Sequence, residues 1–235
     1  MTESTFPSVV DLPAGASAPL VLDGPAGPLE AMLETPEADV PARPLIAVFC
    51  HPLSTEGGSM GNKVVTMACR ALRESGATTL RFNFRGVGRS AGEFDDGEGE
   101  MQDLLAVVEQ VRRARPGWAL WLGGFSFGAY VSLRSADAVQ PGLLISVAPP
   151  AGRSWDFETI ALYTGPWLVV QGDADEIVDP QKVYRWIEHV SELRAPPTLI
   201  RIPDTSHFFH GRLTDLRGAI RNGVRDHLPD VIAHG

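Results

Sequence analysis

The chain has 235 residues, 44% of them apolar and 21% charged, which is the balance of one globular domain of ordinary size. Twenty Lys and Arg stand against 29 Asp and Glu, a formal charge of −9. Such a chain repels phosphate backbones and anionic bilayers, so nucleic acid and membrane are poor candidates for partners.

Two cysteines, Cys50 and Cys69, are too few for a disulfide framework or a Cys-based zinc site, and both sit in apolar stretches. They read as buried thiols in a reducing compartment. Residues Met1–Val10 carry neither a basic n-region nor an apolar h-region, and no apolar run approaches the ~20 residues that span a bilayer. The expected location is the cytoplasm.

Residues 1–19 mix Pro, Ser, Ala and Asp without periodicity and are expected to form a loose arm ahead of a single domain over 20–235. Two weak strands, Leu20–Leu22 and Leu29–Glu34, flank the turn Asp23-Gly24-Pro25 and suggest an antiparallel pair at a sheet edge. A regular alternation starts at Leu45. Leu45–Cys50 is a continuous apolar run, as a strand covered on both faces requires. Asn62–Ser75 has helical spacing of Val64, Val65, Ala68, Ala71 and Leu72. Thr78–Phe84 reads as a strand, Gly86–Gly99 as a Gly- and acid-rich loop, and Glu100–Arg115 as a helix stopped before Pro116-Gly117. Strands follow at Trp118–Leu122, Leu143–Val147, Trp167–Gln171 and Thr198–Ile202. Helices are expected at Phe127–Ala138, Trp155–Tyr163, Pro180–Leu193 and Arg212–His227. Alternating strands and helices predict an α/β fold, a mostly parallel sheet with helices on both faces. Ligands of such sheets bind at the carboxyl ends of the strands, so polar residues directly after strands are the ones to weigh.

Gly-x-Ser-x-Gly occurs at Gly88–Gly92 and at Gly124–Gly128. A nucleophile elbow needs a strand before it and a helix after it. Ser126 has both; Ser90 lies inside a long loop and reads as a loop serine. A serine hydroxyl is a weak nucleophile that needs a base, itself oriented by an acid, and on this kind of elbow the chain order is Ser, acid, His. After the strand at Trp167–Gln171 come Asp173, Asp175, Glu176 and Asp179; after the strand at Thr198–Ile202 come Asp204, His207 and His210. Asp179, just before Pro180, is more simply a helix N-cap. Asp173 rivals Asp175, and His210 rivals His207. An oxyanion needs two backbone donors: the N–H of Phe127 after the nucleophile, and one from the loop after Cys50, where Pro52 cannot donate and Leu53 or Ser54 can.

Taken together, Cys50-His51-Pro52, Arg81–Ser90, the elbow at Ser126, Gly172–Val178 and Ser206–Phe209 resemble the α/β-hydrolase superfamily, in its small lidless bacterial branch near dienelactone hydrolases and short carboxylesterases, over roughly residues 45–228. The resemblance implies Ser126 as nucleophile, Asp175 as the acid of a Gly-x-x-Asp-x-x-Val segment, His207 as the base, and Leu53 at the second oxyanion position. It further implies no lid, because only residues 148–165 separate two consecutive strands. Dienelactone hydrolases carry Cys at the elbow; Ser126 shifts the expectation towards carboxylic esters of small or short-chain acids. Thioester, amide, lactone or carbon–carbon hydrolysis on the same triad, and a non-catalytic binding module, are the alternatives. No cofactor or metal is expected. His51 reads as a residue shaping the site, and the loop acids Glu93, Asp95, Asp96, Glu98 and Glu100 as a solvated surface. Phe94, Phe208 and Phe209 are candidates to line an acyl pocket.

Overall fold

The computed structural model describes residues 12–232. Eight strands form one sheet: β1 (Ser17–Gly24), β2 (Gly27–Glu34), β3 (Leu45–Cys50), β4 (Thr78–Phe82), β5 (Ala119–Phe125), β6 (Leu143–Val147), β7 (Trp167–Gly172) and β8 (Thr198–Ile202). Their spatial order is β1-β2-β4-β3-β5-β6-β7-β8, antiparallel from β1 to β4 and parallel from there on. The helices are α1 (Lys63–Arg73), α2 (Glu98–Ala114), α3 (Phe127–Val139), α4 (Pro180–Leu193) and α5 (Leu213–Gly223). This is the mostly parallel α/β sheet that the alternation implies, in the arrangement expected from the resemblance to α/β-hydrolases.

Strand period and helix period meet in two cores. On β3, Ile46, Val48 and Cys50 face one side with Leu104 and Val107 of α2, Val131 of α3 and Val183 of α4. Leu45, Ala47 and Phe49 face the other with Val64, Val65 and Leu72 of α1 and Leu216 and Ile220 of α5. All six residues of β3 are buried, which is why its run is apolar throughout. The short connections at the carboxyl ends of β3, β5, β7 and β8 thus emerge side by side at one edge of the layers.

Several expected boundaries move. Residues 1–11 of the expected arm lie outside the described residues, and Ser17–Pro19 belong to β1, which pairs with β2 over its full length. The hairpin turn sits at Pro25-Ala26, two residues beyond Asp23. No helix forms at Trp155–Tyr163; residues 148–166 contain neither helix nor strand. There the Asp156 carboxylate accepts the N–H groups of Glu158 (2.8 Å) and Thr159 (3.3 Å) and the Thr159 hydroxyl (2.8 Å), a local network that competes with helical bonding. Glu100 is not solvated: it is fully buried, and its carboxylate accepts the N–H of Asp95 (3.1 Å) and of Gly97 (2.8 Å) at the start of α2. Glu93, Asp95, Asp96 and Glu98 are exposed.

Candidate active site

Ser126 stands between β5 and α3 with φ 53° and ψ −120°, a conformation that a non-glycine residue holds only when its surroundings impose it. The surroundings do. A Cβ on Gly124 would lie 2.1 Å from the carbonyl oxygen of Gly128, and one on Gly128 would lie 2.5 Å from the carbonyl oxygens of Cys50 and His51. Both flanking glycines are therefore dictated by close approach of backbones. The Ser126 N–H donates to the Val147 carbonyl at the end of β6 (2.9 Å), which fastens the turn to the sheet.

His207 arrives on the β8–α5 loop and is 2% exposed. Its Nε2 lies 3.1 Å from Oγ of Ser126, and its Nδ1 lies 2.8 Å from Oδ2 of Asp175. The imidazole is flanked by the rings of Phe125 (4.9 Å) and Phe208 (5.1 Å). Asp175 can only accept, so Nδ1 carries the proton and Nε2 is left to accept from serine. Asp175 is saturated with donors. Oδ1 accepts the N–H of Ile177 (2.9 Å) and Val178 (2.7 Å), and Oδ2 accepts Nε2 of Gln171 (3.0 Å) as well as His207.

The rivals lie elsewhere. Asp173 and Asp204 are exposed, and Asp179 caps α4 by accepting the Gln181 N–H (2.9 Å). Glu176 accepts the backbone N–H of His207 (3.1 Å), so it steadies the loop that carries the imidazole. His210 and His189 are exposed, and His227 lies on a short turn after α5. Ser90 is buried in the β4–α2 loop, where its hydroxyl donates to the Asn83 carbonyl (2.7 Å) and accepts the Glu30 N–H (2.9 Å). It pins that loop to β2.

The β3–α1 loop runs beside Ser126. Leu53 lines the same cleft as Ser126 and His207, and Ser54 does not. Among the described residues neither the Leu53 nor the Phe127 N–H has a hydrogen-bond partner, so both are available as donors. Phe127 is also the first residue of α3, where the helix dipole favours negative charge. His51 is fully buried beneath this loop. The Phe84 N–H donates to its Nε2 (3.0 Å), so Nδ1 holds the proton and donates to the Pro52 carbonyl (2.6 Å). Burial lowers its pKa from 6.5 to about 4, against the raising effect of the Pro52 bond. A neutral imidazole thereby fixes the peptide unit that precedes Leu53.

The cleft encloses about 60 Å³ and is lined by Pro52, Leu53, Trp155, Ile177 and Phe208, with Glu56, Asn62 and Arg153 as polar members. Phe208 is thus at the cleft, whereas Phe209 is fully buried in the core under α5 and Phe94 packs on the Phe127 ring at 5.7 Å. Trp155, Arg153 and Ile177 escape sequence reading, because nothing in a loop's composition says which of its side chains turn inward. Gln171 escapes too, as one polar residue inside an apolar strand. Among the described residues no group of three or more His, Cys, Asp or Glu could hold a metal ion, and no helix is long and apolar enough to cross a membrane.

No family model matches the chain. An uncharacterized protein of Rickettsia prowazekii (strain Madrid E) is 31% identical over 210 residues, 86% of this chain and 87% of that protein. Among solved structures, an α/β serine hydrolase without a lid from Xanthomonas campestris is 62% identical, with a TM-score of 0.88 over 94% of this chain and 99% of that one. An α/β serine hydrolase homologue from Coxiella burnetii is 40% identical, with a TM-score of 0.83 over 88% and 97% of the two chains. With an eight-stranded, mostly parallel sheet, a strained serine between β5 and α3, and no inserted domain between β6 and β7, the chain belongs to the lidless α/β serine hydrolases.

Proposed function

We propose that this hydrolase cleaves small or short-chain carboxylic esters through Ser126, His207 and Asp175. The observation that carries the reading is the continuous relay from Ser126 Oγ to His207 Nε2 (3.1 Å) and from His207 Nδ1 to Asp175 Oδ2 (2.8 Å). Ser126 Oγ attacks the ester carbonyl while Nε2 takes its proton. The tetrahedral oxyanion accepts from the N–H groups of Phe127 and Leu53, each such donor contributing about 3 kcal/mol of transition-state stabilisation. Nε2 then gives its proton to the departing alcohol, leaving Ser126 acylated. Water repeats the sequence and releases the acid. Asp175 holds the tautomer and stabilises the imidazolium. The resident chemistry needs no metal or organic cofactor.

Short acyl groups are favoured because the cleft is small and residues 148–166 are too few for a lid domain that would shelter a long chain. The two cysteines support a reducing, cytoplasmic setting: both are free and fully buried, and burial pushes the Cys69 thiol up to about 12. Two measurements test the reading. A fluorophosphonate probe should label the wild type and not Ser126→Ala; an unlabelled wild type would refute the nucleophile. Rates on p-nitrophenyl esters from C2 to C16 should peak at short chains, and a maximum at the long end would overturn the size assignment. Thioesters, amides and lactones on the same panel decide between ester cleavage and the other acyl transfers open to this triad.

A further inference from the structure

Three charged or chargeable side chains line the cleft: His207, Glu56 and Arg153. His207 is committed to the relay. Glu56 is exposed on the Ser54–Glu56 turn, and among the described residues its carboxylate has no partner to hold it over the cleft. Arg153 is held. Its Nη1 donates to the Ile177 carbonyl (2.9 Å), and the Ile177 N–H donates to Oδ1 of Asp175 (2.9 Å), so the guanidinium is tied to the loop that carries the acid. Among the described residues no carboxylate forms an ion pair with it. A guanidinium offers five donors in a planar fork, and one is in use.

The ground next to Arg153 carries charges of both signs. A second, open cleft shares Arg153 and Trp155 with the first and is lined further by Lys182 and Arg185. Lys182 Nζ donates to the Gly152 carbonyl (3.2 Å), directly before Arg153. Two acids, Asp156 and Glu158, line that cleft as well and offset Lys182 and Arg185, with Asp156 held by Thr159 and the Glu158 N–H. In a chain of net charge −9, Arg153 places a tethered cation, without a carboxylate partner among the described residues, in the cleft that holds Ser126.

We propose that Arg153 is the specificity-determining residue of this site, selecting esters that carry an anionic group, such as a carboxylate, on the acyl or the alcohol side. The proposal rests on Ser126 being the nucleophile. The substrate's carboxylate takes the free N–H groups of the guanidinium while its ester carbonyl meets Ser126 Oγ. Because Arg153 is exposed, the pair works through geometry rather than burial, and an effect near tenfold is the expected size.

Three esters test it: p-nitrophenyl acetate (neutral), mono-p-nitrophenyl glutarate (anion on the acyl side) and 4-acetoxybenzoate (anion on the alcohol side). In Arg153→Met the anionic-to-neutral ratio of kcat/KM should fall about tenfold for at least one anionic ester, and Arg153→Lys should restore part of it. Which ester responds assigns the side. A ratio unchanged for both anionic esters overturns the proposal, including the case where all three rates fall together because the Ile177 contact was lost. Fluorophosphonate labelling runs alongside. Labelled wild type with an unchanged ratio defeats the anion subsite alone; unlabelled wild type defeats the nucleophile. Calorimetric binding of glutarate, lost in Arg153→Met, reads the subsite without turnover, and no binding to the wild type counts against it.

Discussion

Gln171 and His207 share one oxygen of Asp175: Gln171 Nε2 lies 3.0 Å from Oδ2 and His207 Nδ1 lies 2.8 Å from the same atom. Gln171 is fully buried on β7, one strand residue before the turn that delivers the acid. It also donates to the Gly172 carbonyl (3.1 Å), while its own Oε1 is buried without a partner. The amide thus holds the carboxylate in the plane where His207 meets it, at the cost of one unsatisfied acceptor.

Gln171→Leu should lower kcat on p-nitrophenyl acetate about tenfold with KM little changed. Stability should move by no more than about 1 kcal/mol, because the lost bonds are offset by removing a desolvated oxygen. Kinetics together with urea unfolding check both halves; an unchanged kcat would show that the three other contacts of the Asp175 carboxylate, from Ile177, Val178 and His207, position the acid unaided.

Asp175→Asn should reduce kcat by roughly 10³–10⁴, since the amide favours the wrong imidazole tautomer, while Asp173→Asn should stay within about twofold. The contrast follows from placement: Asp175 is buried against His207, and Asp173 is exposed two residues earlier. A large loss in Asp173→Asn and none in Asp175→Asn would reassign the acid.

Ser90→Ala separates the two copies of the Gly-x-Ser-x-Gly pattern. Its hydroxyl bridges the Asn83 carbonyl and the Glu30 N–H in a buried position, so the variant should lose about 2 kcal/mol of stability. Turnover per folded molecule should be retained, and fluorophosphonate labelling should persist. Loss of labelling in folded Ser90→Ala would contradict the structural role.

His51 makes stability depend on pH. Its folded pKa, about 4, lies below the ordinary 6.5 because burial disfavours the imidazolium. As pH falls below 6.5 the unfolded chain binds a proton that the folded chain refuses until about 4, so the contribution is full above 6.5 and is lost between 6.5 and 4. His51→Gln removes this linkage. The stability difference between pH 7.5 and pH 4.5 should shrink by about 2 kcal/mol relative to wild type, measured by urea titration at both values. An identical pH slope in the variant would place the loss on other groups.

Local pattern and long-range placement divide this molecule cleanly. The run Leu45–Cys50, the helical spacing of Val64 to Leu72 and the Pro180 start of α4 announce their elements, because a residue's burial on a strand or helix follows from periods of two and 3.6. The same logic separates Ser126 from Ser90: only one of them has a strand before it and a helix after it, and backbone context is a local property. The choice of His207 with Asp175 is not local. Seven carboxylates and histidines follow β7 and β8 within a few residues of one another, and only the direction each side chain takes from its turn distinguishes them. Residues 155–163 carry apolar spacing that suits a helix, yet Asp156 draws the backbone into turns and Trp155 is held by Asp96 (3.2 Å) and the Phe127 ring (5.1 Å). Those contacts span 59 and 28 positions, beyond the reach of any periodicity. Glu100, Gln171 and Arg153 belong to the same class: polar residues whose surroundings are set by partners elsewhere in the fold, so that only the assembled layers decide whether each one meets water, a helix end or the reacting serine.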